Sequence, residues 1–281
     1  MLEIGKLNKL RIVKEVDFGL YLDGGEEYGE ILLPQRYMPT DFKIDDELEV
    51  FIYRDSEDRI IATTETPKGM VGDFALMEVI SVNKFGAFLD WGLQKDLLVP
   101  FREQRKDMEK GKEYMVHIYL DKETNRIVAS SKLDKFLDNI PTEYVANQEV
   151  DLLIAAKTDI GYKAIINGLH WGMLYENEVF KPLDRGQKTK GFIKKLREDD
   201  KIDLYLHKAG YGKVEILMDK IVEELKEEGG FLEMSDKTPS NIIYQVFGES
   251  KKTFKKAIGT LYKKRIIDIE KAGIKLIKTD D

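Results

Sequence analysis

The chain has 281 residues, 42% hydrophobic and 35% charged, with a net charge of −7, a composition that supports several small cores rather than a disordered tail. Cysteine is absent and the three histidines, His117, His170 and His207, stand at no metal-binding spacing, which excludes disulfides, thiolate nucleophiles and cysteine-ligated zinc. No run of about 18 apolar residues occurs, and charge interrupts the opening MLEIGKLNKLRIVKEVD, so the expectation is a cytoplasmic chain with no membrane contact.

Residues 1–66 hold 8 basic and 16 acidic side chains, a net of −8. LRIVKEV and DFGLYLD read as alternating strands, EILLP as a third, and YRDSEDRIIAT as two more around an acidic hairpin tip. Residues 67–140, balanced at 12 and 12, repeat the order with FALMEVISV, KFGAFLD, DLLVP and YLDKETNRIVAS. Residues 141–210, balanced at 11 and 11, repeat it more loosely with DLLIAAK, DIGYKAI, GMLY and KKLREDDKIDLYL. From Gly19, Gly86 and Gly161 it is 15, 14 and 14 residues to Pro34, Pro100 and Tyr175, and 34, 33 and 33 to Tyr53, Tyr119 and Lys194. Five short strands in roughly 70 residues have the size and order of a Greek-key OB barrel. The glycine suits a bend or a close backbone approach. Pleat alternation puts Phe85 and Phe88 on opposite faces, whereas a bulge at Gly86 would turn both outward. Trp91 and Trp171 read as packing residues.

Alternation stops at Gly212. VEILMDKIVEELKEEG puts Val214, Leu217, Met218, Ile221, Val222 and Leu225 on one helix face, ended by Gly229 and Gly230. PSNIIYQVFG reads as a second helix, and Ser250 caps a third, SKKTFKKAIGTLYKKR, with Phe254, Ile258 and Leu261 inward. IIDIE and GIKLI form a closing hairpin, completing a winged-helix pattern. Residues 250–279 hold 10 basic and 2 acidic side chains, a net of +8. Lys251, Lys252, Lys255 and Lys256, then Lys263, Lys264 and Arg265, lie where this fold meets nucleic acid, although a lysine run at helical spacing is also what a solvated face looks like.

The aromatic-Gly-x-aromatic strand, the apolar run closing the third strand and the D-x-x-x-R-I hairpin resemble the RNA-binding OB domain first described in ribosomal protein S-one. Three such copies and a compact helical tail are similar to the conserved virulence factor B family of bacterial RNA-binding regulators. The resemblance implies a mainly β fold with a small α+β tail. Its four units are three five-stranded OB barrels at 1–66, 67–140 and 141–210 and a winged helix at 211–281. It also implies a face of two aromatics and one basic residue per copy: Phe18, Tyr21 and Arg59, then Phe85, Phe88 and Arg126. Pro34 and Pro100, and Tyr175 in copy three, replace a histidine common in the family. Copy three has Ile160 and Lys163 at the aromatic positions and offers Tyr162, His170, Trp171, Tyr175, Lys190, Lys194, Lys195 and Arg197 instead. Exposed rings stack on unpaired bases while Lys and Arg track phosphates, a chemistry suited to single-stranded RNA. The acidic first copy is the least suited to it.

No phosphate-binding glycine loop, HExxH or GxSxG occurs, paired acids such as Asp45-Asp46 and Asp199-Asp200 sit in expected turns, and His170 has no partner that would make it a base. The reading is therefore a noncatalytic single-stranded-RNA-binding regulator of RNA stability or translation, without cofactor or metal. One alternative is a DNA-binding transcription regulator that uses the winged helix, with the barrels as protein-contact modules. Another is an accessory subunit that docks on a ribonuclease or the ribosome through the acidic first barrel.

Overall fold

The computed structural model describes residues 2–176, 179, 182–206 and 212–277. His207 and the expected junction at 210/211 lie outside the described residues. In the first copy, β1 (Leu7–Val16), β2 (Gly19–Asp23), β3 (Glu30–Pro34), β4 (Glu47–Arg54) and β5 (Ile60–Thr63) close into a barrel of order β1-β2-β3-β5-β4. A parallel pairing of β3 with β5 and an antiparallel pairing of β1 with β4 complete the circuit. A one-turn helix, α1 (Gly25–Tyr28), separates β2 from β3. Inward positions bring Ile12, Leu20, Leu22, Leu33, Val50 and Ile52 into one core. Each such side chain contributes about 1.5–3 kcal/mol on burial.

The second copy comprises β6 (Phe74–Asn83), β7 (Gly86–Leu89), β8 (Leu97–Pro100), β9 (Glu113–Asp121) and β10 (Arg126–Ser130). Its sheet has the matching order β10-β9-β6-β7-β8. The expectation of three closed barrels is corrected here. β8 and β10 lie against each other, but no ladder joins them, so the second sheet curls without closing. The third copy closes again through β11 (Glu149–Thr158), β12 (Gly161–Ile166), β13 (His170–Tyr175), β14 (Lys188–Leu196) and β15 (Ile202–Tyr205).

Of the two arrangements open at the glycine, a bulge centred on it is not the one adopted. Register shifts fall in the preceding strand, between Ile12 and Lys14, Val79 and Ser81, and Ile154 and Ala156. Gly19, Gly86 and Gly161 instead face Pro34, Pro100 and Tyr175 with φ of +153°, +151° and +145°. A Cβ there would stand 2.1, 2.2 and 2.0 Å from the carbonyl oxygens of Leu33, Val99 and Leu174, so glycine is required by close strand approach.

The first two sheets share a core. Phe51 and Tyr53 of β4 pack edge-on against Trp91 of the second, at 5.6 and 6.3 Å between centroids, and the Trp91 indole donates to the Gly69 carbonyl at 2.7 Å. A further cluster joins the second and third sheets through Phe74, Met115, Leu133, Leu137, Leu153 and Ile165.

The C-terminal unit follows the expected helical period. α2 (Gly212–Glu227), α3 (Ser240–Phe247) and α4 (Lys251–Lys263) bury Leu217, Ile221, Leu225, Ile243, Phe254, Ile258 and Leu261 together. Ser250 Oγ accepts from the Thr253 amide at 3.2 Å, capping α4, and Gly248 ends α3 in the left-handed conformation. The hairpin β17 (Ile267–Ile269) and β18 (Ile274–Leu276) gains a third strand, β16 (Phe231–Leu232), which sequence periodicity did not mark.

Candidate nucleic-acid interface

The residue before each repeat glycine sits in the turn leading into the strand rather than in the pleat, so alternation does not govern it. Phe18 is 56% exposed, Phe85 60% and Ile160 56%. The Asn83 side chain accepts from the Phe85 amide at 2.8 Å and shapes that turn. Three residues on, Tyr21 and Phe88 are half-buried on their strands. Phe18 and Tyr21 meet edge-to-face at 6.2 Å, and Lys14 lies 4.7 Å over the Tyr21 ring. Phe85 and Phe88 line one groove of about 420 Å³ with Arg126, while Phe18, Tyr21 and Arg59 line another of about 740 Å³. In both copies the predicted aromatics and basic residue are thus brought together.

Arg59 and Arg126, the basic residues expected at these grooves, already have anionic partners. Arg59 bonds Asp55 at 2.8 Å and Glu57 at 3.0 Å, and its pKa is raised, first by the Asp55 hydrogen bond. Arg126 reaches across to the first barrel, where its Nε donates to Asp58 at 3.0 Å and its terminal nitrogen forms a second, short contact to the same carboxylate. Sequence reasoning did not single out Asp58, Arg54 or Lys95. The pair Asp58 and Arg126 is 68 residues apart, a separation that leaves no local signal. Lys95 donates to the carbonyls of Arg54 and Asp55 at 2.9 and 2.7 Å and lines both grooves, and burial lowers its pKa.

The third copy scatters its candidates. Tyr162 is only 5% exposed and packs in the barrel core, so its ring is removed from any binding face. It sits beside Gly161 on a strand whose inward residues are set by the barrel, which proximity in sequence did not reveal. Lys163 lies 3.6 Å over the Trp171 ring, the Trp171 indole donates to Asp134 at 3.0 Å, and burial lowers the lysine's pKa. Tyr175 and Arg197 do come together, with a guanidinium nitrogen 3.4 Å from the phenolic oxygen. Lys194 and Lys195 are exposed on β14. Lys190 pairs with Asp151 at 2.7 Å and lines a separate groove with Gly72 and Phe74. His170 is buried, hydrogen-bonded to Tyr144 at 3.0 Å and to the Ile140 carbonyl at 2.9 Å, a structural role.

In the C-terminal unit, Lys252, Lys256 and Lys263 run along one exposed side of α4, followed by exposed Lys264 and Arg265. Lys251 turns back to the Lys237 carbonyl at 3.2 Å, and Lys255 lies 3.5 Å from Asp236. Among the described residues no group of three or more His, Cys, Asp or Glu is placed to hold a metal ion, and no helix is long and apolar enough to cross a membrane.

Parts of the chain match known domain families. Residues 4–65 and 71–132 each match the S1 domain, and residues 219–276 match the CvfB-like winged helix domain. The chain is 28% identical to the protein YitL of Bacillus subtilis over 92% of its length and 89% of the relative's. It is 25% identical to Conserved virulence factor B of Staphylococcus epidermidis, over 85% and 82% of the two chains. A crystal structure of a multidomain protein with nucleic acid binding domains from Streptococcus pneumoniae aligns over 98% of each chain, at 21% identity and a TM-score of 0.41. The chain thus carries two S1 domains and a CvfB-like winged helix domain, and it is similar along most of its length to Conserved virulence factor B and YitL.

Proposed function

We propose that this chain is a noncatalytic, cytoplasmic regulator that binds single-stranded RNA and acts on RNA stability or translation. The S1 and winged-helix domains support nucleic-acid binding in general. The observation that carries the choice of a single strand is the Phe85/Phe88 pair, held at a groove with Lys95 and Arg126 around it. Rings presented this way suit unpaired bases, each stack being worth about 1–3 kcal/mol, and a paired duplex offers them no free base face. The working units are 1–66, 67–140, 141–210 and 211–281.

The exposed lysine stripe of α4 favours a second reading, a DNA-binding regulator whose barrels serve as protein contacts. Docking on a ribonuclease or the ribosome through the acidic first barrel is the third. A salt titration against single-stranded RNA, single-stranded DNA and duplex DNA separates them. The RNA reading expects the tightest binding to RNA and a loss of about tenfold or more in Phe85→Ala/Phe88→Ala. Best binding to duplex DNA with the phenylalanine variant silent would refute it.

A further inference from the structure

The hairpin tip between β4 and β5 does more than join two strands of the first barrel. Arg54, Ser56 and Asp58 from this tip line the groove that holds Phe85 and Phe88. The tip is fixed there by three separate contacts: Arg54 Nε to the Asn125 carbonyl at 3.2 Å, Lys95 to the Arg54 and Asp55 carbonyls, and the two-pronged pairing of Asp58 with Arg126. Asp58 adopts φ +63°, a turn conformation that aspartate tolerates and that aims the carboxylate at the neighbouring barrel. A carboxylate that grips a guanidinium through two oxygens presents the same geometry as a phosphate. Hydrogen bonding to Arg126 holds the Asp58 carboxyl below its usual range, so the pair stays charged at neutral pH.

We propose that the nucleic-acid site of the second barrel is composite, walled on one side by the first barrel's hairpin tip, and that Asp58 occupies Arg126 in place of a strand phosphate, which must displace it to bind. The inference rests on the single-stranded-RNA reading above and assigns Asp58 a role in setting affinity. It also gives the acidic first barrel a function: it supplies a competitor for the phosphate rather than a second, weaker copy of the same site. The pair is exposed on both sides, at 56% and 43% of side-chain area, so a phosphate can reach it from solvent.

The test is a salt titration of the full chain with an oligouridylate of roughly ten nucleotides, a length sufficient to cover one OB-type face. Asp58→Asn is expected to tighten binding threefold to tenfold and to steepen the log-log salt dependence by roughly 0.7, the contribution of one added phosphate contact on a single strand. Arg126→Gln should weaken wild-type binding, and Asp58→Asn/Arg126→Gln should show no gain over Arg126→Gln alone. Asp58→Ser, which lacks the amide, should reproduce the gain if removal of the carboxylate is the cause. Unchanged or weaker binding in both Asp58 variants, while Phe85→Ala still weakens binding, overturns this inference and leaves the RNA reading intact. Failure of the wild type and every variant to bind the oligouridylate overturns the reading on which it rests.

Discussion

Gly86 stands directly across the β7–β8 ladder from Pro100, and the Val99 carbonyl oxygen lies 2.2 Å from where a Gly86 Cβ would be. A methyl group there meets backbone rather than a flexible side-chain end, and φ of +151° is already outside the range of L residues. Gly86→Ala is therefore expected to destabilise the second sheet by about 2–4 kcal/mol. Gly259 provides the opposite control, because it lies within α4 and, among the described residues outside its own helical turns, none comes within 4 Å of where its Cβ would stand. Gly259→Ala should stabilise by up to about 1 kcal/mol through helix propensity alone. Denaturant unfolding followed by tryptophan emission for the barrels and far-UV dichroism for the helices separates the two effects.

The same glycine shows how much the sequence alone disclosed. The 14- and 15-residue spacings from Gly19, Gly86 and Gly161 turned out to be the register partners Pro34, Pro100 and Tyr175. Such spacing is legible because hairpin length fixes who faces whom. The helical face of α2 was legible for a similar reason, since a period of 3.6 residues reports burial directly. The position of the bulges was not, because a shift between Val79 and Ser81 leaves the apolar pattern of β6 unchanged at the level of residue types. Tyr162 was misplaced because the loose third copy gives no aromatic register against which to orient it. Asp58 and Arg126 were invisible as a pair, since packing of one barrel on the next carries no local repeat. Closure of the second sheet failed to show for a related reason: it depends on whether β8 and β10 come close enough to pair, which neither strand's sequence specifies.

Trp91 is the pin between the first two sheets. It is 2% exposed, wedged edge-on against Phe51 and Tyr53 and hydrogen-bonded to Gly69. Trp91→Ala should cost about 3–5 kcal/mol, the usual range for an aromatic removed from a core. The loss should fall on the junction as well as on the second sheet. Limited proteolysis is expected to open new cleavage between residues 64 and 70 in the variant, and a wild-type cleavage pattern would show that Trp91 is not what pins the two sheets together.

His117 predicts a pH dependence with a definite sign. Its ring packs 4.5 Å from Phe74 and 4.1 Å from Phe136 between centroids, its Nδ1 has no hydrogen-bond partner among the described residues, and burial depresses its pKa from 6.5 to about 4. The folded protein thus resists protonation that the unfolded chain accepts. The stability associated with the neutral ring is complete above pH 6.5 and declines as pH falls from there toward 4. Thermal midpoints measured between pH 7.5 and 5, above the range where ordinary carboxylates titrate, should fall in the wild type. His117→Phe should flatten that slope, and an equal slope in the variant would assign the effect elsewhere.

The lysines of α4 divide by whether they have partners among the described residues. Lys255 lies 3.5 Å from Asp236 and Lys251 is turned to the Lys237 carbonyl, whereas Lys252 and Lys256 project one helical turn apart on an exposed side. Cations held by a neighbouring carboxylate release fewer counterions on meeting a phosphate, so the projecting pair should dominate binding by this unit. Lys252→Glu/Lys256→Glu is expected to weaken nucleic-acid binding by at least tenfold at low salt and to lower the salt slope by roughly 0.7 per lysine on a single strand or 0.9 on a duplex. Lys255→Glu, which also places a like charge beside Asp236, should cost less affinity and shift the slope less. Comparing the slope change on single-stranded RNA with that on duplex DNA then identifies which nucleic acid the winged helix grips, because the preferred one should show the larger drop in slope when the stripe is reversed.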